Sequence, residues 1–198
     1  MKKNYKILIA GVGGQGIVFL SNIMVEAAVL SNLPVSVSEI HGLSQRGGVV
    51  TSSIGLGEYC TGFIGLASVD FLIGLEPLET QRCIPYLHKQ SGVIFGNYRV
   101  QPYAVNAETA QYPEVNLFVN YLKQQGVDIV YIEDFPPTID YVLYNIFLLG
   151  RATRMNDFPI KADKIIEAIN NTVRGPNNKK SLAAFSMGID FETVPKLA

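Results

Sequence analysis

Gly11-Val12-Gly13-Gly14-Gln15-Gly16 constrains this chain more than any other segment, because it spells G-x-G-x-x-G between two strongly patterned neighbours. Ahead of it, Tyr5 to Ala10 (YKILIA) is apolar except for Lys6 and lacks sustained polar alternation. That is the pattern of a strand buried on both faces of a parallel sheet. Behind it, Ile17, Leu20, Met24, Ala27 and Ala28 recur at helical spacing over Ile17 to Leu30. Asn32 and Pro34 end that helix, and Val35 to Glu39 reads as a second strand. Strand, glycine turn, helix and strand make a βαβ unit with a right-handed crossover.

In such a unit Gly11 permits a tight turn, Gly13 lets backbone N–H groups approach a ligand, and Gly16 allows close helix–sheet packing. The N–H groups at the helix start favour an anion. Their field contributes about 0.3–1 kcal/mol, roughly 2 when partly buried, whereas micromolar binding needs about 8 kcal/mol. The turn, with Gly14 and Gln15 at its tip, orients a phosphate without defining a ligand. Glu39 stands where a dinucleotide fold places the acid for a ribose 2′-hydroxyl. Spacing alone leaves open NAD or FAD binding, another phosphate or adenylate ligand, and a turn used only for packing or a subunit contact.

The remainder continues the alternation of strand and helix. Val49 to Leu56 reads as a strand, and the Gly57-Glu58 turn predicts an antiparallel excursion through Cys60 to Ile64. Asp70 to Leu75, Val93 to Gly96 and Val127 to Ile132 read as further strands. Pro77 opens a helix; others are expected at about Glu114 to Gln125, Ile139 to Leu149, Ala162 to Val173 and Ser181 to Met187. With no internal repeat and no low-complexity linker, residues 1–198 form one domain of a doubly wound, Rossmann-like α/β fold. It has three layers and a mostly parallel, partly mixed sheet. A domain of this size buries roughly 70% of its unfolded surface and needs no disulfide or structural metal.

Composition narrows the function. The net charge is −1 and no Lys/Arg run exceeds two residues, which disfavours nucleic acid and anionic membrane as partners. The apolar stretch Gly16 to Leu30 is interrupted by Ser21, Asn22 and Glu26, so it is not a membrane span. Charged Met1 to Asn4 precedes the first strand without a signal-peptide core, and a cytoplasmic protein is expected. Its two cysteines, Cys60 and Cys83, read as small buried hydrophobes in a reducing compartment. A [4Fe–4S] cluster takes about four thiolates, so this chain cannot carry one alone; no metal site is expected.

A second loop is more distinctive. Ser38-Glu39-Ile40-His41-Gly42-Leu43-Ser44-Gln45-Arg46-Gly47-Gly48 gathers an acid, an imidazole, a guanidinium and three glycines at the carboxyl edge of the sheet, beside the glycine turn. Arg46 suits a carboxylate or phosphate, or equally an ion pair within the fold or across a subunit contact. His41 with no visible nucleophile reads as a structural or interface hydrogen-bonding group. Gly47 and Gly48 supply positive φ where the loop re-enters a strand.

Together, the Gly11–Gly16 turn and the Ser38–Gly48 loop resemble the gamma-type domain of the 2-oxoacid:acceptor oxidoreductases. The resemblance continues through Asp70, Gly74 to Glu79, Arg82, Asn145 to Gly150 and Asn178 to Gly188, hence nearly the whole chain. Within that family the E-x-H-G-x-x-Q-R-G-G form resembles the small (beta) subunit of the indolepyruvate type, with Leu43 where Met or a similar apolar residue is expected.

The resemblance implies oxidative decarboxylation of a 2-oxoacid on thiamine diphosphate and Mg²⁺, with electrons passed through [4Fe–4S] clusters to ferredoxin and the acyl group to coenzyme A. The thiamine and clusters would reside on a large partner subunit, leaving the isolated chain inactive. Glu39, His41, Ser44, Gln45, Arg46, Gly47 and Gly48 are then site candidates together with Gly11, Gly13, Gly14, Gln15 and Gly16, and no residue is assigned as a catalytic acid, base or nucleophile. The competing reading is a stand-alone oxidoreductase holding NAD(P) or FAD with Gly11, Gly13, Gly16 and Glu39. A third is a nucleotide sensor that binds without turnover.

Overall fold

A computed structural model describes residues 4–41 and 48–192, with the side chain of His41 left out. Six strands form one sheet: β1 (Tyr5–Val12), β2 (Val35–His41), β3 (Val49–Leu56), β4 (Val69–Gly74), β5 (Leu87–Gly96) and β6 (Asp128–Ile132). Their order is β2-β3-β1-β4-β5-β6. β1, β4, β5 and β6 pair in parallel, whereas β3 runs antiparallel to both β1 and β2. The sheet is therefore mixed, as the sequence predicts, and β3 is its one reversed strand.

β1 lies centrally and is buried on both faces, which is why its apolar residues do not alternate with polar ones. Ile7 and Ile9 face α1 (Ile17–Leu30), α5 (Tyr144–Ala152), α6 (Ala162–Thr172) and α7 (Pro176–Asp190). Leu8 and Ala10 face the opposite core with α4 (Val115–Gln124), whose Phe118, Val119 and Leu122 pack on Val93 and Phe95. α2 (Pro77–Arg82) and the single-turn α3 (Tyr103–Asn106) complete the helices of the described residues. α1 buries Ile17, Leu20, Met24, Ala27 and Ala28, the stripe its spacing predicts, together with Ser21 and Ile23, and Asn32 (φ 53°) terminates it in the left-handed region. A buried hydroxyl pair, Ser52 Oγ to Ser21 Oγ at 2.8 Å, ties α1 to β3.

Three expectations are corrected. Residues 60–64 form no strand. They cross one face of the sheet, and their carbonyls are taken by side chains: Ser36 Oγ donates to the Cys60 carbonyl at 2.7 Å, and Ser53 Oγ to that of Gly62. A carbonyl engaged by a hydroxyl does not join a ladder. The helix expected from Ile139 begins only at Tyr144, because Asp140 accepts from Val142 N–H and starts a 3₁₀ turn over Tyr141–Leu143. α7 starts five residues before the expected Ser181, with Gly175 (φ 64°) as cap and Pro176 at its first position. The weak helix formers Asn177 and Asn178 hid that turn.

α5 and α7 cross at two glycines. A Cβ on Gly150 would meet the Phe185 carbonyl, and one on Gly188 the Phe147 carbonyl. Each helix thus lies against the other's backbone, over the buried rings of Phe147 and Phe185. Gly150→Ala is expected to lower unfolding stability by about 1–3 kcal/mol, the usual cost of overpacking a filled core, with chemical denaturation as the check. An exposed control, Gly126→Ala, tests strain alone, since its φ is 77° and nothing surrounds its Cβ position.

Candidate functional site

Strand connectivity decides where a ligand can sit. The helix after β1 packs on one face and α2, after β4, belongs to the other, so the chain parts between the carboxyl ends of β1 and β4. Such a switch point opens a crevice at the sheet edge. The glycine turn lies there, and the Gln15 side chain spans the gap. Its Oε1 accepts from Val12 N–H at 2.8 Å and its Nε2 donates to the Leu75 carbonyl at 2.9 Å, joining the β1 and β4 ends.

The glycines serve this arrangement. A Cβ at Gly11 would lie 2.6 Å from Gln15 Oε1, so only glycine leaves room for the amide. Gly16 takes the left-handed conformation (φ 77°) as α1's cap, and a Cβ there would strike Asn145 Nδ2. That amide, buried at the start of α5, donates to the Gln15 and Gly16 carbonyls at 3.2 and 3.3 Å. The role expected of Gly16 therefore changes: it accommodates an asparagine rather than the sheet. The Gly13 N–H, expected to face a ligand, donates to the Gly48 carbonyl at 3.0 Å. Gly14 (φ 98°) is exposed, with nothing within 4 Å of its Cβ position.

The Gly13–Gly48 bond and the Val12–Val49 pairing fix Gly48, the last residue of the second loop, beside the glycine turn. His41 ends β2 opposite Val50. Gly42, Leu43, Ser44, Gln45, Arg46 and Gly47 lie outside the described residues. Glu39 is exposed on β2 opposite Ser52, and β3 separates it from β1. Two strand spacings put it roughly 10 Å away laterally. A dinucleotide fold needs the acid on the strand adjoining the glycine turn, so the reversed β3 removes the geometry of the stand-alone NAD(P)/FAD reading.

Sequence reasoning missed the cavity beside the turn. A cleft of about 210 Å³ is lined by Gly13, Gly14, Gln15, Tyr98, Tyr141 and Tyr144, with Val100, Val142, Leu75, Leu148 and Asn145. Tyr98 stacks on Tyr141 (5.9 Å, 24°) and meets Tyr144 edge-on (5.5 Å, 81°), while Phe135 stacks behind Tyr144 at 3.7 Å. Burial, with smaller contributions from Tyr141 and Tyr144, moves the Tyr98 phenol above its ordinary range and keeps it neutral. These tyrosines come from segments over forty residues apart, so no local motif announced them; Asn145, in contrast, opens the NIFLLG stretch already singled out.

A buried carboxylate holds the Tyr98–Val100 wall. Glu76, 1% exposed, caps α2 by accepting from Glu79 N–H at 2.9 Å, and also accepts from Val100 N–H at 3.3 Å and the Tyr112 hydroxyl. Burial first, then the Glu76 bond, raises the Tyr112 phenol strongly, so it remains a donor. The Arg99 guanidinium lies 5.1 Å above the Tyr112 ring. Nearby, burial raises the Glu79 carboxyl, partly offset by Arg82, and its Oε2 has no hydrogen-bond partner.

With this geometry in place, comparison with known proteins is specific. The profile of the pyruvate ferredoxin/flavodoxin oxidoreductase family matches residues 6–191. Indolepyruvate oxidoreductase subunit IorB from Methanothermobacter thermautotrophicus is 30% identical over 188 residues, 93% of this chain and 96% of the relative. The gamma subunit of a keto/oxoacid ferredoxin oxidoreductase from Geobacter sulfurreducens shares the fold at TM-score 0.65 and 18% identity, across 94% of this chain and 96% of its own. The 2-oxoglutarate:ferredoxin oxidoreductase of Magnetococcus marinus, solved with 2-oxoglutarate, coenzyme A and succinyl-CoA bound, gives TM-score 0.67 at 16% identity. That match covers 96% of this chain and 31% of the larger one.

Two outcomes follow from the site's packing. Gln15→Leu keeps the bulk but leaves the Val12 N–H and Leu75 carbonyl without their partner; an unfolding loss of about 1–3 kcal/mol is expected, measured by urea titration. For Glu79 the sign is fixed by its raised folded-state value: its contribution is fully favourable below the unfolded value, about 4.3, and is lost as pH rises through the folded one. Glu79→Gln should raise the melting temperature at pH 7, and the gain should vanish towards pH 4. A pH series of melting curves checks it.

Proposed function

The chain belongs to the pyruvate ferredoxin/flavodoxin oxidoreductase family, and on that footing we propose that it is the small, gamma-type subunit of an indolepyruvate-type 2-oxoacid:ferredoxin oxidoreductase. The observation that carries this reading is the match to an IorB subunit over nearly the full length of both chains. In this reading residues 1–198 act as one domain in the cytoplasm. A large partner subunit holds thiamine diphosphate, Mg²⁺ and the [4Fe–4S] clusters, decarboxylates the 2-oxoacid and passes electrons to ferredoxin.

The thiols of this chain do not fit a cluster. A [4Fe–4S] centre takes about four thiolates, whereas Cys83 is buried with its thiol pushed up to about 12 by burial, then by Glu79. Cys60 donates to the Tyr5 carbonyl. The clusters are accordingly assigned to the partner, and no redox step is derived from this chain's residues.

What this chain contributes is the rim at the carboxyl edge of β1. Gly11, Gly13, Gly14, Gln15 and Gly16, joined by Glu39, His41, Ser44, Gln45, Arg46, Gly47 and Gly48, are proposed to face the large subunit or its coenzyme A channel. The Gly13–Gly48 hydrogen bond, which sets the end of the second loop against the glycine turn, supports that placement. Coenzyme A accompanies the structurally similar Magnetococcus enzyme, and a guanidinium such as Arg46 suits a phosphate or carboxylate.

Purification without oxygen is expected to bring down a large, iron-bearing partner with this chain. A lone chain that turns over substrate with its own NAD(P) or FAD would overturn the assignment. Within the complex, Arg46→Glu is expected to weaken assembly or raise the KM for coenzyme A at least tenfold. Unchanged assembly together with an unchanged KM would remove Arg46 from the rim's function.

A further inference from the structure

The cleft beside the glycine turn has a lining that the subunit assignment does not use. It is about 210 Å³ in volume and opens at the carboxyl edge between β1 and β4, the position at which open α/β sheets bind ligands. Among the described residues, every side chain lining it is uncharged. Such side chains offer shape and aromatic surface to a ligand.

We propose that this cleft is a binding site for a planar bicyclic aromatic ring. An apolar cavity of roughly 150 Å³ takes a single benzene ring, so the larger volume admits two fused rings. One wall is aromatic and set in advance: Tyr98 is stacked on Tyr141 and edge-on to Tyr144, leaving little to reorder when a ring enters. The Gly13–Gly14 peptide also lines the cleft. Among the described residues, a Cβ on Gly13 would have only the Gly48 carbonyl nearby, at 3.9 Å, and one on Gly14 would have nothing within 4 Å. At the mouth Tyr141 and Val142 are 60% and 55% exposed, apolar surface that an inserted ring would cover.

Two sources carry such a ring in the reading above: the adenine of coenzyme A and the indole of an aryl 2-oxoacid. The choice of these two rests on that reading; the ring chemistry of the cleft does not. The test uses the full chain and two unreactive probes, adenosine and indole-3-propionate, each titrated separately by saturation-transfer NMR. Val142→Trp fills the mouth from an exposed position, and a melting curve verifies its fold.

At least one probe is expected to bind the unsubstituted chain, with binding weakened tenfold or more by Val142→Trp. A response to adenosine alone assigns the cofactor's base, and a response to indole-3-propionate alone the substrate's side chain. Responses to both, each lost in the variant, establish ring recognition without selectivity. The proposal is overturned if neither probe binds, or if affinity is unchanged in the folded variant. Failure of the large subunit to co-purify would leave the binding curves standing, and absent ring binding would leave the subunit assignment standing.

Discussion

All eight residues of β1 pair antiparallel with β3, from Tyr5 opposite Leu56 to Val12 opposite Val49. That ladder governs the rest of the molecule. It displaces β2 by one strand, so that the second strand in sequence is not the second in space. It returns the Ser38–Gly48 loop to the end of β1, where Gly13 closes on Gly48. It also leaves Glu39 too far from the glycine turn for a shared dinucleotide, while setting Gly48 against that turn.

The glycine pattern survives in this setting for reasons other than those that give it meaning in dinucleotide folds. Gly11 makes space for an amide, Gly13 hydrogen-bonds its neighbouring loop, and Gly16 caps α1 beneath Asn145. The polar groups converging on the turn are therefore largely satisfied by the protein itself. Gln15 is the centre of this economy: one side chain bridges the ends of β1 and β4 just beyond their last backbone bond, from Leu75 N–H to the Ala10 carbonyl.

Much of this was legible in the sequence. β1, α1 and β3 declare themselves through local patterns, since a doubly buried strand and an amphipathic helix each write their burial into consecutive residues. The insertion of β3 between β1 and β2 did not, because which strand pairs with which is a long-range property. The segment 60–64 misled for a related reason: its composition suits a strand, but Ser36 and Ser53 claim its carbonyls from outside. The site divides in the same way. Its glycines could be read one after another, whereas Tyr98 and Tyr141 are neighbours only after folding.

The glycine crossing of α5 and α7 has a mechanical meaning. With the Gly150 and Gly188 positions closed against opposing carbonyls, the two helices have no gap through which to slide. Asn145 and Tyr144, at the head of α5, are thereby coupled to the final helix of the described chain. A larger side chain at either glycine would push these helices apart and shift the Asn145 amide from beneath the turn.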